Sequence, residues 1–298
     1  MNPLRRLAKR FRRILLGQRP DDQPAPYDPA IAIAQRQALL AFRKLSASGG
    51  TLPPVQETGF KVFSQTDEDG ILLYLFSLIG PTNKLAVEIC AGDGIECNTA
   101  NLIVYHGWHG LLVDGSAELA EQGKRFYRAN PATRIFPPQS TSAWITRDSV
   151  NHLLQTNGFA GEIDLLCVDM DGVDYWIWKE IQIISPRVVV VEYQDILGPD
   201  RSVTVPYRDD FVASHYPVTD GMPNYCGASL KAFAKLAAAK GYRLVGCNRY
   251  GYNAFFVKNE LAPGLKTVAV ADCFSHPKVQ WGIKHRWPTV EHLPWTEV

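Results

Sequence analysis

Three sets of residues in this chain have the types and spacing to do chemistry. The first is an acidic glycine loop, Glu88-Ile-Cys-Ala-Gly-Asp-Gly94, which runs on through Glu96. Its small residues Ala91, Gly92 and Gly94 let a backbone turn sharply and come close to a ligand. The second is Asp114, twenty residues past Gly94 and followed by Gly115. An acid at that distance from a glycine turn reaches the ribose hydroxyls of a bound nucleoside. The third is Asp169-Met-Asp-Gly-Val-Asp174. Its carboxylates could take a proton from a hydroxyl or hold a hard divalent cation such as magnesium.

Charge narrows the choice of nucleoside. A dinucleotide lays an anionic pyrophosphate on the glycine loop and the helix start behind it. Here Glu88, Asp93 and Glu96 would repel it. The third glycine of a G-x-G-x-x-G loop is also missing, because its position is Cys97. S-adenosylmethionine carries a sulfonium, an ammonium group and a ribose without phosphate, and suits an acidic loop better. The bland alternative is a glycine turn in some other α/β enzyme.

The elements that must position these residues follow from periodicity. Leu85–Cys90 reads as a buried strand and Cys97–Tyr105 as a helix. Gly110–Asp114 is a second strand, and Ser116 caps a helix to Ala129. Arg134–Phe136 is read as the third strand. Thr146 caps a helix that ends at Asn157-Gly158, Glu162–Asp169 is a fourth strand, Tyr175–Ile183 a helix and Arg187–Glu192 a fifth strand. Ser229–Lys240 is a helix, and Tyr242–Asn248 with Asn253–Val257 forms a hairpin. Upstream, Ile31–Leu45 is helical. Ser64-Gln-Thr-Asp67 looks like a capping box ahead of a helix with Ile71, Leu72, Leu75 and Ile79 on one face. Apolar strands alternating with helices predict an α/β fold, a mostly parallel sheet covered by helices on both faces.

That fold locates the chemistry. In open α/β sheets the ligand crevice lies at the carboxyl ends of the strands. Asp169 sits at such an end, and Asp171 shares its face for as long as the strand continues. Asp169, Asp171 and Glu192, at the end of the fifth strand, are the candidate catalytic carboxylates; Asp169 and Asp171 are also the candidate metal ligands. Asp174 is read chiefly as a cap for the next helix. Residues 195–228 form a long irregular loop, and its His215 and Tyr225 are candidate acceptor contacts. Trp281, Trp287 and Trp295 are expected to cover the core or to meet a second copy.

Composition sets the outer bounds. The chain has 298 residues and a formal charge of +1, which gives no case for nucleic acid. Charge is uneven, however: residues 1–20 hold seven basic residues and no acid, and the remainder carries a formal charge of −6. Leu4, Leu7, Phe11, Ile14 and Leu15 lie at helical spacing among those basic residues. A basic amphipathic helix of this kind suits the surface of an anionic membrane. Six cysteines without a C-x-x-C pair point to a reduced, cytoplasmic protein. The expected organisation is an N-terminal helix, linker and second helix over 1–50, a nucleotide-binding domain over 51–262 and an aromatic tail over 263–298.

Taken in order, Ser64-Gln65 with Glu68-Asp69-Gly70, Glu88–Gly94, Asp114-Gly115, Asp169-Met-Asp-Gly172, Val191-Glu192 and the hairpin Asn248–Val257 resemble class I S-adenosylmethionine-dependent methyltransferases, specifically the FkbM-like group. The resemblance spans residues 60 to 260. It implies a Rossmann-like seven-stranded sheet whose last strand is antiparallel, and methylation of a hydroxyl on a sugar or glycosylated metabolite. By position, it implies that Glu88, Ala91, Gly92, Asp93 and Gly94 line the methionine end of the donor. Asp114 and Gly115 would meet the ribose, and Ser140–Ala143 would lie near the adenine. The chain departs from the group at Cys90, where glycine is common. Two other readings stay open. Asp169-Met-Asp171 also resembles the metal-binding D-x-D of nucleotide-sugar glycosyltransferases, and a non-catalytic protein could keep the same fold.

Overall fold

A computed structural model describes residues 27–298; the basic segment 3–16 lies outside them. Helix α1 (Pro29–Ala47) opens the described chain, with Asp28 as its N-cap. Helix α2 (Glu68–Ile79) follows and delivers the chain into β1 (Leu85–Ile89). Then come α3 (Ala100–His106), β2 (His109–Asp114), α4 (Ala117–Ala129), β3 (Gln139–Ser142), α5 (Arg147–Thr156), β4 (Gly161–Val168), α6 (Asp174–Glu180) and β5 (Ile184–Glu192). Three short strands, β6 (Val203–Thr204), β7 (Val218–Thr219) and β8 (Met222–Pro223), interrupt the long loop. The chain closes with α7 (Leu230–Ala239), β9 (Tyr242–Cys247), β10 (Asn253–Lys258), α8 (Pro277–His285) and β11 (Thr296–Glu297).

Seven strands form one sheet in the order β3-β2-β1-β4-β5-β10-β9. The first five run parallel, and β10 is antiparallel to both β5 and β9. This is the Rossmann-like sheet expected above. Alternate residues of each strand feed two cores. Val188 and Val190 of β5 point to the layer with α2 and α3, while Val189 and Val191 point to the layer with α5, α6 and α7. Burial on both faces is why these strands read as continuous apolar runs rather than as alternating ones.

Three sequence expectations need correction. Arg134–Phe136 is not the third strand. It lies in a series of turns after α4, with Ile135 90% and Phe136 71% exposed. The strand there is the polar Gln139–Ser142, an edge strand paired only with β2, so no apolar pattern marks it. The capping box is also different. Asp67 makes no side-chain cap to α2. Instead Ser64 and Asp69 pair reciprocally five residues apart: the Asp69 N–H donates to Ser64 Oγ at 3.2 Å, and Asp69 Oδ2 accepts from Ser64 N at 2.9 Å. Asp69 Oδ2 also accepts from the Val62 and Phe63 N–H groups at 2.7 and 2.6 Å. Gly70 follows because a Cβ there would lie 2.3 Å from Phe60 N. Finally, α3 starts at Ala100 rather than Cys97, for a reason that lies in the site.

Candidate active site

The glycine loop leaves β1 through three left-handed residues: Cys90, Gly92 and Gly94 have φ of 62°, 64° and 69°. Glycine adopts this region without a steric penalty; cysteine does so at a cost of about 1 kcal/mol or more. The departure at Cys90 therefore falls on a position whose backbone favours glycine. Asp114 ends β2 beside the loop. Its Oδ2 accepts from Gly92 N at 3.0 Å and its Oδ1 from Ser116 N at 2.8 Å, so the acid and the glycine turn are held as one unit. Two residues of α4 fix the loop from behind. The Tyr127 hydroxyl donates to Gly94 O at 2.5 Å. Gly123 gives the loop room, since a Cβ there would stand 2.5 Å from Asp93 O.

Glu88, expected at the methionine end of a donor, has its oxygens on the start of α3. Oε1 accepts from Asn98 N at 2.8 Å, and Oε2 from Thr99 N at 2.8 Å and Thr99 Oγ1 at 2.6 Å. Bonds to Asn98 and Thr99 hold these residues ahead of the helix, which is why α3 begins late. Burial raises the carboxyl's pKa, while Thr99 and Asn98 pull it back. Asp93 turns inward on its own loop: its Oδ1 accepts from Ile95 N at 2.9 Å and Glu96 N at 3.3 Å.

Beyond this loop a cleft opens at the carboxyl ends of β1 and β2. Cys90, Gly115, Ala143, Trp144, Met170 and Phe211 are among its walls. Of the stretch Ser140–Ala143, residues 140–142 belong to β3 itself and only Ala143 lines the cleft. Trp144 was not singled out from the sequence. Its ring stands over Gly115, 3.5 Å from where a Cβ would be, and its Nε1 donates to Asp209 O at 2.7 Å. Trp144 thus gives the cleft a flat aromatic wall beside Gly115.

A second cleft lies on the other side of the 169–173 turn. Asp171, Glu192, Cys226, Tyr252, Lys278 and Arg286 are among its walls. There Asp171 and Glu192 meet Asp169, each carboxylate offering an oxygen within 4.8 Å of the others. Strand alternation is not what unites Asp169 with Asp171. β4 ends at Val168, and Asp171 turns with φ of 51°. Glu192 joins them because β5 runs beside β4, with Val191 opposite Val168. Three carboxylates make an all-oxygen donor set, which fits magnesium or another hard cation better than zinc.

Asp174 has a different task. It is fully buried, and its oxygens accept from Met170 N at 2.6 Å and Gly172 N at 3.0 Å. It therefore staples the acidic turn rather than capping α6, whose N-cap is Val173. Burial pushes its pKa up to about 7, with the neighbouring Asp169 charge adding to the effect and the two backbone bonds opposing it.

The acceptor contacts named from the long loop fare unequally. Tyr225 is 2% exposed, packs on Tyr216, Phe211 and Trp295, and donates its hydroxyl to Pro294 O. It belongs to the core, where burial pushes its pKa up to about 12. His215 is exposed at the end of a 3₁₀ turn and lines neither cleft. The tail adds cations beside that loop. Lys278 donates to Asp195 Oδ2 at 2.8 Å and Arg286 to Asp195 Oδ1 at 3.2 Å, and both cations line the second cleft. Trp287 and Trp295 pack against the core, as expected.

No family model matches the chain, and no curated protein does. Among solved structures it is similar to a geranyl diphosphate C-methyltransferase from Streptomyces coelicolor solved with magnesium, geranyl diphosphate and S-adenosyl-L-homocysteine. That likeness has 14% identity and a TM-score of 0.36, over 57% of this chain and 60% of the other. It is also similar to an O-methyltransferase family protein from Burkholderia thailandensis, at 10% identity and TM-score 0.37, over 59% of this chain and 52% of that one. It is similar as well to PKMT2 from Rickettsia typhi, at 20% identity and TM-score 0.30, over 44% of this chain and only 24% of the other.

Proposed function

We propose that the protein is an S-adenosylmethionine-dependent methyltransferase that methylates a hydroxyl of a sugar or glycosylated metabolite. The observation that carries the reading is the unit formed by Asp114 and the Gly92–Gly94 loop, at the edge of a cleft with an aromatic wall. In this reading the donor lies in the cleft by Gly115 and Trp144, with its ribose on Asp114. The acceptor enters the cleft by Glu192 and Lys278. Bound S-adenosylmethionine supplies an already activated methyl group. The chain's own tasks are alignment and proton removal. Asp169 is the first choice to take the hydroxyl proton, with Asp171 and Glu192 beside it. If the three instead hold magnesium, they would lower the hydroxyl's pKa through the ion. The acceptor class rests on the family resemblance alone.

Calorimetry with S-adenosylmethionine, S-adenosylhomocysteine, NAD and a nucleotide sugar tests the donor assignment. Binding of the first two is expected. Asp114→Ala should weaken it roughly ten- to hundredfold, since a charge-assisted bond contributes about 1.5–3 kcal/mol. Binding of a nucleotide sugar alone would favour the D-x-D reading, for which the convergence of Asp169 and Asp171 is the supporting observation. Mass spectrometry of metabolites that copurify with the protein would identify the acceptor.

A further inference from the structure

Helix α1 has two unlike sides. On the inner side Gln35 is buried and exchanges two hydrogen bonds with Asn101 of α3, at 2.8 and 3.0 Å. Phe42 packs edge-on against Tyr74 of α2 with centroids 4.8 Å apart. On the outer side Ile33 and Leu40 are 60% and 57% exposed. They are seven residues apart, so they fall on one stripe two turns long. Arg36, Arg43 and Lys44 are exposed on the same side, at three, ten and eleven residues from Ile33. The helix contains no acidic residue.

Further upstream, residues 1–20 hold seven basic residues and no acid, and over 1–47 the ten basic residues outnumber the three acids Asp21, Asp22 and Asp28. The rest of the protein has the opposite sign, a formal −6 over residues 21–298. Cations are therefore concentrated at this end of the sequence, beside two large apolar side chains turned to solvent.

We infer that the outer stripe of α1 docks on an anionic lipid bilayer. The helix lies in the interface, with Ile33 and Leu40 among the headgroups and Arg36, Arg43 and Lys44 on their phosphates. A second copy fits the stripe less well, because a two-fold contact would set the same three cations against each other. The inference does not depend on the methyl-transfer reading.

The test is sedimentation of the full chain with vesicles of phosphatidylcholine, alone or mixed with phosphatidylserine. Binding should require the phosphatidylserine and weaken as salt rises. Replacing all three cations (Arg36→Gln, Arg43→Gln, Lys44→Gln) should lower the partition coefficient about a hundredfold, at roughly fivefold per cation. The pair Ile33→Ser and Leu40→Ser should lower it about tenfold. All five side chains reach solvent, so the variants are expected to melt like the wild type, and circular dichroism checks that. Wild-type sedimentation of the triple variant, or equal binding to both vesicle types, would overturn the inference. So would light scattering that shows a wild-type dimer made monomeric by the serine pair, since the stripe would then be an interface between copies.

Discussion

Asp169, Asp171 and Glu192 lie close enough to share one proton or one cation, and substitution can separate the two roles. Asp169→Asn keeps the side chain's shape and removes its charge. Turnover on an identified acceptor should fall by about 10²–10⁴, with donor affinity within a few-fold of wild type. If a cation is held there, wild-type activity should also vanish with a chelator and return with magnesium. Near-wild-type turnover of the variant would exclude Asp169 from both roles. Asp174 gives a prediction of another kind. Its folded-state pKa is raised from 3.8 to about 7, so between those values the folded chain binds the proton more tightly than the unfolded one. Stability from this group is therefore lost as pH rises through that window. Asp174→Asn lacks the titration, so its deficit in melting temperature against wild type should be larger at about pH 5 than at about pH 8. A deficit that stays constant across that range would show that Asp174 does not titrate there.

Among the elements, α4 holds the glycine loop without itself lining the first cleft. An alanine at an internal glycine of a helix usually stabilises it by about 1 kcal/mol. At Gly123 the opposite is expected, because the new methyl would meet Asp93 O at 2.5 Å and the loop would have to move. Gly123→Ala should lower the melting temperature and weaken binding of S-adenosylhomocysteine about tenfold. Tyr127→Phe, which leaves Gly94 O without its hydroxyl partner, should cost about 1–3 kcal/mol and weaken the same binding several-fold. A Gly123→Ala variant that melts higher and binds normally would refute this account of the loop. The sequence revealed these elements unevenly. Strands β1, β2, β4 and β5 were legible because burial on both faces leaves long apolar runs. β3 was not, because an edge strand can be polar, and Ile135-Phe136 imitated a strand while standing in solvent. The capping of α3 by Glu88 also escaped notice, since its partners lie ten and eleven residues away.

At the scale of the molecule, the glycine-loop side was readable and the second cleft only in part. The glycine loop and Asp114 are separated by one βα unit, so spacing alone relates them. The second cleft joins Glu192 to Lys278 and Arg286, which no local pattern could bring together. The tail, expected to pack on the domain, also contributes charge to that cleft. Arg286 and Asp195 are both nearly inaccessible, at 4% and 3%. Arg286→Leu should therefore destabilise the protein by about 3–5 kcal/mol in denaturant unfolding, because it leaves a buried carboxylate short of a partner. Lys278 is 30% exposed, and Lys278→Met should cost less than about 1 kcal/mol. Equal costs for the two would mean that burial does not set the strength of these pairs.

The separation of Asp195 from its two cations also has a meaning in time. Lys278 and Arg286 follow it by 83 and 91 residues. On the ribosome, the glycine loop, Asp114 and Asp169 are all made before Asp195 appears. Asp195 then waits for nearly the whole remainder of the chain before its charge can be neutralised. A nascent chain would thus hold its glycine loop and Asp114 well before the charge on Asp195 could meet its two cations.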